Sequence, residues 1–515
     1  MRTQNGIQVS FISILLGMLS LHSSSRADTW IPGGAEDPKA FNASWHPTQY
    51  LHRFDQLPLQ GSVENEHIPW ADSYWPIQLG GMGYRWMDHH DSNVQIPQTS
   101  EERKRVFFEI HRYTKEELLA LSPEARRKII TNLSPLEKFS IFKGDYNYSL
   151  VDHFQKDSDP SISYWQGYCH AWAPVSLHYP EPAPVVRTNP DGIEIPFGSA
   201  DVKAVMIASY ADRVKVSLNN FLDGFGRRVG NILKKIAGAP SQDKDAVYVG
   251  KRCGKRFMYP TTKIVNGQEQ FTDYSDTNGM TNDDYIKSLG WFQEKAIALN
   301  YHPDGGPDPR NPDFINQVIQ NMNDPSCSDV NAGAFHIIIA NQLGIMKEGF
   351  QFDKTRDVEV WNQPAFRFDS SIVKWLNPDQ SSTPGTEQVV QIKTRIYYAD
   401  DTDYGWAFWF PTLPSLFSPD SNLMSEYDKY QKLLVNQGDI EKPGQYPEGI
   451  IDSSDYEYTL DLDSKKQIIG GSWISFDRPD FLWLFKKTQF TGEYKELNQV
   501  YEPIQLPDNQ QQPRL

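Results

Sequence analysis

The 515-residue chain has only three cysteines, at positions 169, 253 and 327. So few exclude a disulfide-rich scaffold, and an odd number leaves one thiol unpaired in an oxidising compartment. After residue 27 no apolar run is long enough to cross a membrane. Positive charge is also in short supply: 50 Lys and Arg face 66 Asp and Glu, a net charge of −16. That balance argues against nucleic acid as a partner. Internal repeats are absent, and so is any dense acidic loop of the EF-hand kind. Aromatics, proline and glycine are plentiful instead, with 27 Phe, 25 Tyr, 14 Trp, 35 Pro and 34 Gly. Such a composition belongs to a globular chain with long ordered loops rather than to a disordered one.

The first 27 residues read as an export signal. Arg2 supplies the positive start, residues 9–21 an apolar stretch, and Ser25-Arg26-Ala27 a small-x-small cleavage site. Cleavage there removes two basic residues and no acid, taking the charge from −16 to −18. The mature product is expected to be secreted and extracellular, with no membrane partner. In a eukaryotic host Asn42, Asn132 and Asn147 would be glycan acceptors, each followed two positions later by serine.

Cys253 and Cys327 lie in polar, loop-like contexts and are expected to pair as a disulfide. Cys169 stays free, in the most apolar context of the three. It stands in Ser163-Tyr-Trp-Gln-Gly-Tyr-Cys169-His-Ala-Trp-Ala-Pro174, a short helix-compatible segment opened by glycine and closed near proline. A thiol at a helix start sits against the positive end of the dipole, which favours the thiolate. Trp165 and Trp172 can wall a groove beside it. The plain alternative is a cysteine that is merely buried.

In chain order, residues 28–99 show no helical period and must be held by aromatic packing in ordered loops. His89-His90-Asp91 is read as surface rather than metal-binding, because adjacent side chains point apart. Thr114-Lys-Glu-Glu117 is a capping box, and Ser122-Pro and Ser134-Pro-Leu-Glu137 open two further helices with proline just inside them. Residues 145–160 are polar and suit a boundary. Residues 193–196 read as a strand. Ser199-Ala-Asp201 caps a helix over 202–211, where Asp201 is most simply a dipole partner. Further helices open at Thr281 and Asn311. Residues 337–343 fit a buried strand or a helix end, and periodicity does not decide between them. Residues 350–352 and 358–360 read as strands, the second ending in Asn362-Gln363 before Pro364. The last third alternates strongly over 387–399, and 456–463 and 467–473 flank Ser464-Lys-Lys466 as a hairpin. That part is an antiparallel sheet.

Cys169, His336 and Asn362 follow one another in the order that thiol acyl-transfer chemistry uses. Such chemistry needs a thiolate, an imidazole to shuttle the proton, and a group that orients the imidazole. Asp357 competes with Asn362 for the third role. Gln166 and the Cys169 backbone N–H are candidates for an oxyanion hole, and Gln363 could line the substrate groove with Trp361.

Three stretches together resemble the transglutaminase elicitor family: Trp165-Gln-Gly-Tyr-Cys169-His-Ala-Trp-Ala-Pro174, Asp329-Val-Asn-Ala-Gly-Ala-Phe-His336, and Val360-Trp-Asn-Gln-Pro364. The last looks like the start of that family's elicitor peptide and departs from it at Ala365-Phe366-Arg367-Phe368. The resemblance implies an α+β fold with a papain-like cysteine core, calcium dependence with ligands unknown, and protein-glutamine γ-glutamyltransferase activity. It implies Cys169 as nucleophile and His336 as base, acting on proteins that bear glutamine and lysine. The expected organisation is a signal over 1–27, a loop-rich and helical region over 28–155, the catalytic core over 156–385, and an antiparallel β region over 386–515. A secreted papain-like peptidase using the same triad is the alternative enzyme, and a non-enzymatic binding protein the alternative class.

Overall fold

The structure is a computed structural model. It describes residues 30, 32, 34, 36–47, 49–64, 67–83, 85, 99–156, 158, 160, 166–226, 245–250, 260–265, 268–274, 330–354, 360–379, 382–402, 451–475 and 477–503. The signal segment, the Thr281 and Asn311 helices and the His89-His90-Asp91 stretch lie outside them.

Beyond a short capped turn at Ser100–Arg103 stand four helices: α1 (Lys115–Ala120), α2 (Pro123–Thr131), α3 (Pro135–Phe142) and α4 (Ser149–Lys156). Their starts follow the sequence signals. Thr114 accepts from Glu117 N–H while the Glu117 carboxylate accepts from Thr114 N–H, and Ser134 and Glu137 do the same. Each box satisfies two otherwise orphaned donors. Next come α5 (Cys169–His178), a small hairpin over 185–197, and α6 (Ser199–Gly226). α5 runs on through Pro174 to His178, past the proline expected to close it. The proline gives up the bond its N–H would have made to the His170 carbonyl.

The described residues also form an eight-stranded antiparallel sheet: β1 (Gln60–Ser62), β2 (Ala246–Gly250), β3 (Phe350–Asp353), β4 (Asn362–Leu376), β5 (Gln388–Ala399), β6 (Ile451–Leu462), β7 (Ile468–Trp473) and β8 (Phe481–Phe485). The order is β7-β6-β5-β4-β3-β8-β2, with β1 added to β4. The fold is thus mixed helix and antiparallel sheet. The boundaries expected at 155 and 385 do not divide this sheet, which takes strands from all three segments. The β6–β7 hairpin forms where expected, with Lys466 at φ +62° in its turn. The strand expected at 358–360 falls mostly outside the described residues; β4 begins at Asn362 and carries Pro364 within it.

Alternation along the strands sorts the core into two faces. In β8, Phe481, Trp483 and Phe485 join one hydrophobic cluster, and Leu482 and Leu484 the other. In β2, Ala246 and Tyr248 pack with the first cluster, Val247 and Val249 with the second. Successive side chains of a strand point to opposite faces, so the sheet itself separates the clusters. α5 and α6 cover the first face. The second is covered by α7 (Ala332–Ile339), a helix where the sequence left helix and strand open. Asn331 decides the matter by accepting from the N–H groups of Gly333 and Ala334 at 2.8 and 3.3 Å. Gly333 lets α7 press on β7, since a Cβ there would lie 2.6 Å from the Gly470 carbonyl oxygen.

Where α3 crosses α6, Lys138 Nζ meets Asp201 Oδ2 at 2.7 Å, and neither side chain is exposed. Burial pulls the Lys138 pKa down against the opposing pull of Asp201. Asp201 also accepts from Gly198 N–H at 2.7 Å, so it caps α6 and neutralises the lysine together. Replacing Lys138 by Met strands a buried carboxylate and is expected to cost about 3–5 kcal/mol, while Lys138→Met with Asp201→Leu should recover part of the loss. Urea unfolding midpoints of the single and double variants check both signs.

Candidate active site around Cys169

Cys169 is the first residue of α5, behind Tyr168 at the helix cap. The loop that delivers it is pinned: Tyr168 N–H donates to the Tyr74 carbonyl at 2.6 Å, and Ile77 N–H to the Gln166 carbonyl at 3.0 Å. Gly167 is required there, because a Cβ would lie 2.3 Å from the Tyr74 oxygen. The first-turn N–H groups of a helix have no intrahelical acceptor, so the positive end of α5 points at the thiol. Cys169 is 4% exposed.

Two groups from the start of β4 and the residues before it face the sulfur. The thiol donates to the Val360 carbonyl at 3.6 Å, and Asn362 Nδ2 lies 3.8 Å from Sγ. The orientation of that amide is settled by chemistry. Trp483 Nε1 donates to Asn362 Oδ1 at 2.9 Å, and an indole N–H can only donate. The Asn362 oxygen must therefore face the tryptophan and its NH₂ the sulfur. Trp483 is in turn stacked on Tyr248, centroids 5.7 Å apart and planes 12° from parallel. Val360 C=O favours the neutral thiol, which can donate to it, whereas the Asn362 amide favours the thiolate, which can only accept. Asp353 lies across from Asn362 in the β3–β4 register and shares its face. Its Oδ1 accepts from Trp361 N–H at 3.0 Å, and Trp361 meets Tyr74 edge-on at 5.6 Å beside the thiol's loop.

Of the residues selected from the sequence, Cys169 and Asn362 come together, with Trp361 adjacent. His336 does not join them. It sits on α7, buried among the second cluster, and the sheet lies between that cluster and the thiol. His336 Nδ1 is 2.8 Å from Tyr458 Oη, which is 2.7 Å from Thr394 Oγ1, and the ring lies 5.8 Å from that of Phe54. Its Nε2 is buried without a hydrogen-bond partner among the described residues. Gln363 also faces away: it pairs in register with Phe352, whose side chain belongs to the second cluster, so it does not line the groove. Trp172 is fully buried with its indole N–H on the Trp70 carbonyl at 3.1 Å, a core residue rather than a groove wall. Gln166 stands in the entry loop, its carbonyl committed to Ile77. Trp165, Asp357 and the Cys253–Cys327 pair lie outside the described residues. Trp483 was not singled out from the sequence. The alternation in Phe481-Leu-Trp483-Leu-Phe485 marks it as facing one side, but its bond to a residue 121 positions away has no local signature.

Among the described residues no group of three or more His, Cys, Asp or Glu side chains could hold a metal ion. No described helix is long and apolar enough to cross a membrane.

The site is thus a buried cysteine at a helix start, held against a sheet by a tryptophan-oriented amide. The C-terminal part of the chain carries the pattern of the transglutaminase elicitor family, whose model matches residues 314–405 and 420–505. The match includes His336 and Asn362 and stops short of Cys169. A solved structure, the GP42 transglutaminase from Phytophthora sojae, is similar at 17% identity over 88% of this chain and 93% of that one, with a TM-score of 0.43. No curated protein matches.

Two outcomes follow. Asn362→Leu removes the donor to sulfur, so alkylation of Cys169 by iodoacetamide, followed by mass spectrometry of its peptide, should move its midpoint to higher pH. Trp483→Phe, which releases the amide, should move it the same way by less. The second concerns His336, whose pKa burial lowers from 6.5 to about 3. The unfolded chain binds this proton below pH 6.5 and the folded chain does not until about pH 3. Stability from this group is complete above the unfolded value and is lost as pH falls, by about 1.4 kcal/mol per unit. Between pH 7 and 5 the wild type should lose about 2 kcal/mol relative to His336→Gln, read from paired urea titrations.

Proposed function

We propose that the protein is a protein-glutamine acyltransferase that works through Cys169. The observation that carries this reading is the thiol at the start of α5 with the oriented Asn362 amide 3.8 Å from its sulfur. The transglutaminase elicitor match over the C-terminal part supports it. A helix presenting a thiol to the strands of an antiparallel sheet also suits a papain-like core. The thiolate would attack the side-chain carboxamide carbon of a protein glutamine, ammonia would leave, and a lysine amine would take the thioester to form an isopeptide bond. Water in place of the amine gives deamidation. The Cys169 backbone N–H, free of an intrahelical acceptor, would donate to the oxyanion. Trp361 and Tyr74, in edge-on contact beside the thiol's loop, would restrict water there and favour the amine. His336 has no part in these steps from the far side of the sheet, and Asp353 is an ionisable side chain that shares the thiol's face. Export through residues 1–27 and a calcium requirement belong to the same reading, with protein substrates bearing glutamine and lysine.

A second reading is favoured by one observation: the thiol is 4% exposed and the imidazole expected beside it is elsewhere. On that reading the protein is a non-catalytic relative that binds its partners, and Cys169 is a core residue.

Incorporation of a fluorescent primary amine into a glutamine-bearing protein, with calcium or chelator, separates the two. Wild type should label the acceptor, Cys169→Ser should not, and folded His336→Gln should retain most of the activity. Labelling that survives Cys169→Ser sinks the proposal, and its absence in every form supports the binding protein. Acceptor cleavage without labelling points to a cysteine peptidase.

A further inference from the structure

At the opposite end of α5 from the thiol, roughly 14 Å along the helix at 1.5 Å per residue, lies an open cleft of about 490 Å³. Leu177 and His178 of the last turn form one side. Lys486 and Lys487, just past β8, form another, and Lys347 and Glu348 the rim. The volume is within the usual range for small-ligand pockets.

Its charge departs from the rest of the molecule. In a chain of net charge −16, three lysines converge on one cleft. Its one carboxylate, Glu348, is occupied by His46, Nε2 to Oε2 at 2.9 Å. Lys347 has no acidic partner among the described residues. Lys486 has only a long, exposed contact of 3.9 Å to Asp245, and Lys487 stands 4.5 Å over the Tyr179 ring. Lys347 also holds φ +59° at the end of the helical turn over 340–346, a backbone region where glycine is the easy choice. A charged side chain is kept there at some conformational cost, and that side chain faces the cleft.

The second observation lies on the floor. Gln351 is 1% exposed, lines the cleft, and its Oε1 has no hydrogen-bond partner among the described residues. His46 Nδ1 is likewise buried without a partner. A buried acceptor left unsatisfied is costly, and such groups are rare unless something else fills them. The cleft therefore offers cations at its rim and an acceptor at its floor, so its ligand must carry negative charge and also a hydrogen-bond donor. Sulfate at neutral pH supplies only the first, and phosphate, which keeps an O–H, fills only a small part of a cleft of about 490 Å³. A peptide supplies both: Asp or Glu carboxylates for the lysines, and a backbone N–H for Gln351.

We propose that this cleft binds a short acidic segment of a polypeptide. The inference does not depend on the chemistry assigned to Cys169. Fluorescence anisotropy with the full-length protein and labelled Gly-Asp-Glu-Glu-Asp-Gly tests it against Gly-Asn-Gln-Gln-Asn-Gly. The acidic peptide should bind roughly tenfold more tightly, and added salt should weaken it. Lys486→Ser with Lys487→Ser should cut affinity severalfold while far-ultraviolet circular dichroism stays unchanged. Gln351→Met should weaken binding yet raise Tm, because it removes the unsatisfied acceptor; a merely structural glutamine would lower Tm and leave affinity alone. Equal binding of both peptides overturns the proposal. So does displacement by inorganic phosphate at matched ionic strength combined with unchanged affinity in Gln351→Met, which would mark a simple anion site.

Discussion

The bond from the Trp483 indole to Asn362 is the constraint on which the site depends. An indole has one donor and no acceptor, so the asparagine oxygen has no freedom once Trp483 is placed. Trp483 is placed by the sheet, between β3 and β2, and by its stacking on Tyr248. The direction of a single amide beside the thiol is therefore set by the packing of a strand more than a hundred residues further on. This kind of preorganisation holds a hydrogen-bond donor against the buried sulfur.

The same sheet that brings Asn362 to Cys169 keeps His336 away. α5 and α7 are packed on opposite faces, and strand alternation leaves no side chain able to serve both. His336 is consequently embedded in an apolar layer as a neutral ring, with Tyr458 as its polar contact. Burial explains its depressed pKa without any partner charge. The Cys, His, Asn order in the chain is real, yet order in sequence does not carry over to one face in space. The buried Lys138–Asp201 pair shows the opposite case, a costly charge made tolerable because its partner and a backbone donor were placed around it.

The first face of the sheet also carries the basic cleft, at the far end of the helix that presents the thiol. One helix thus spans two chemically different places: a buried thiol facing an amide, and a cationic opening whose floor holds an acceptor with no partner among the described residues. Both are built on strands β3 and β8, so both depend on the register that sets Asn362 and Gln351 on the same side.

Local structure was readable from residues alone wherever the signal was local. Ser134 with Glu137, Thr114 with Glu117, the alternation over 388–399 and the hairpin around Lys466 each state their own geometry, because capping bonds and the two-residue strand period act within a few positions. Cys169 at a helix start was legible for the same reason. The helix at 332–339 was not, since a run of isoleucines between small residues suits either state until Asn331 caps it. Which face each residue occupies was decided only by the tertiary structure. A strand shifted by one residue turns every side chain to the other side, so the parity that joins Asn362 to Cys169 and separates Gln363 and His336 from it follows from pairing across the sheet. The β3–β4 pairing joins residues about ten apart, but those that fix β8 against β3 and β2 span more than a hundred, and no local pattern records them.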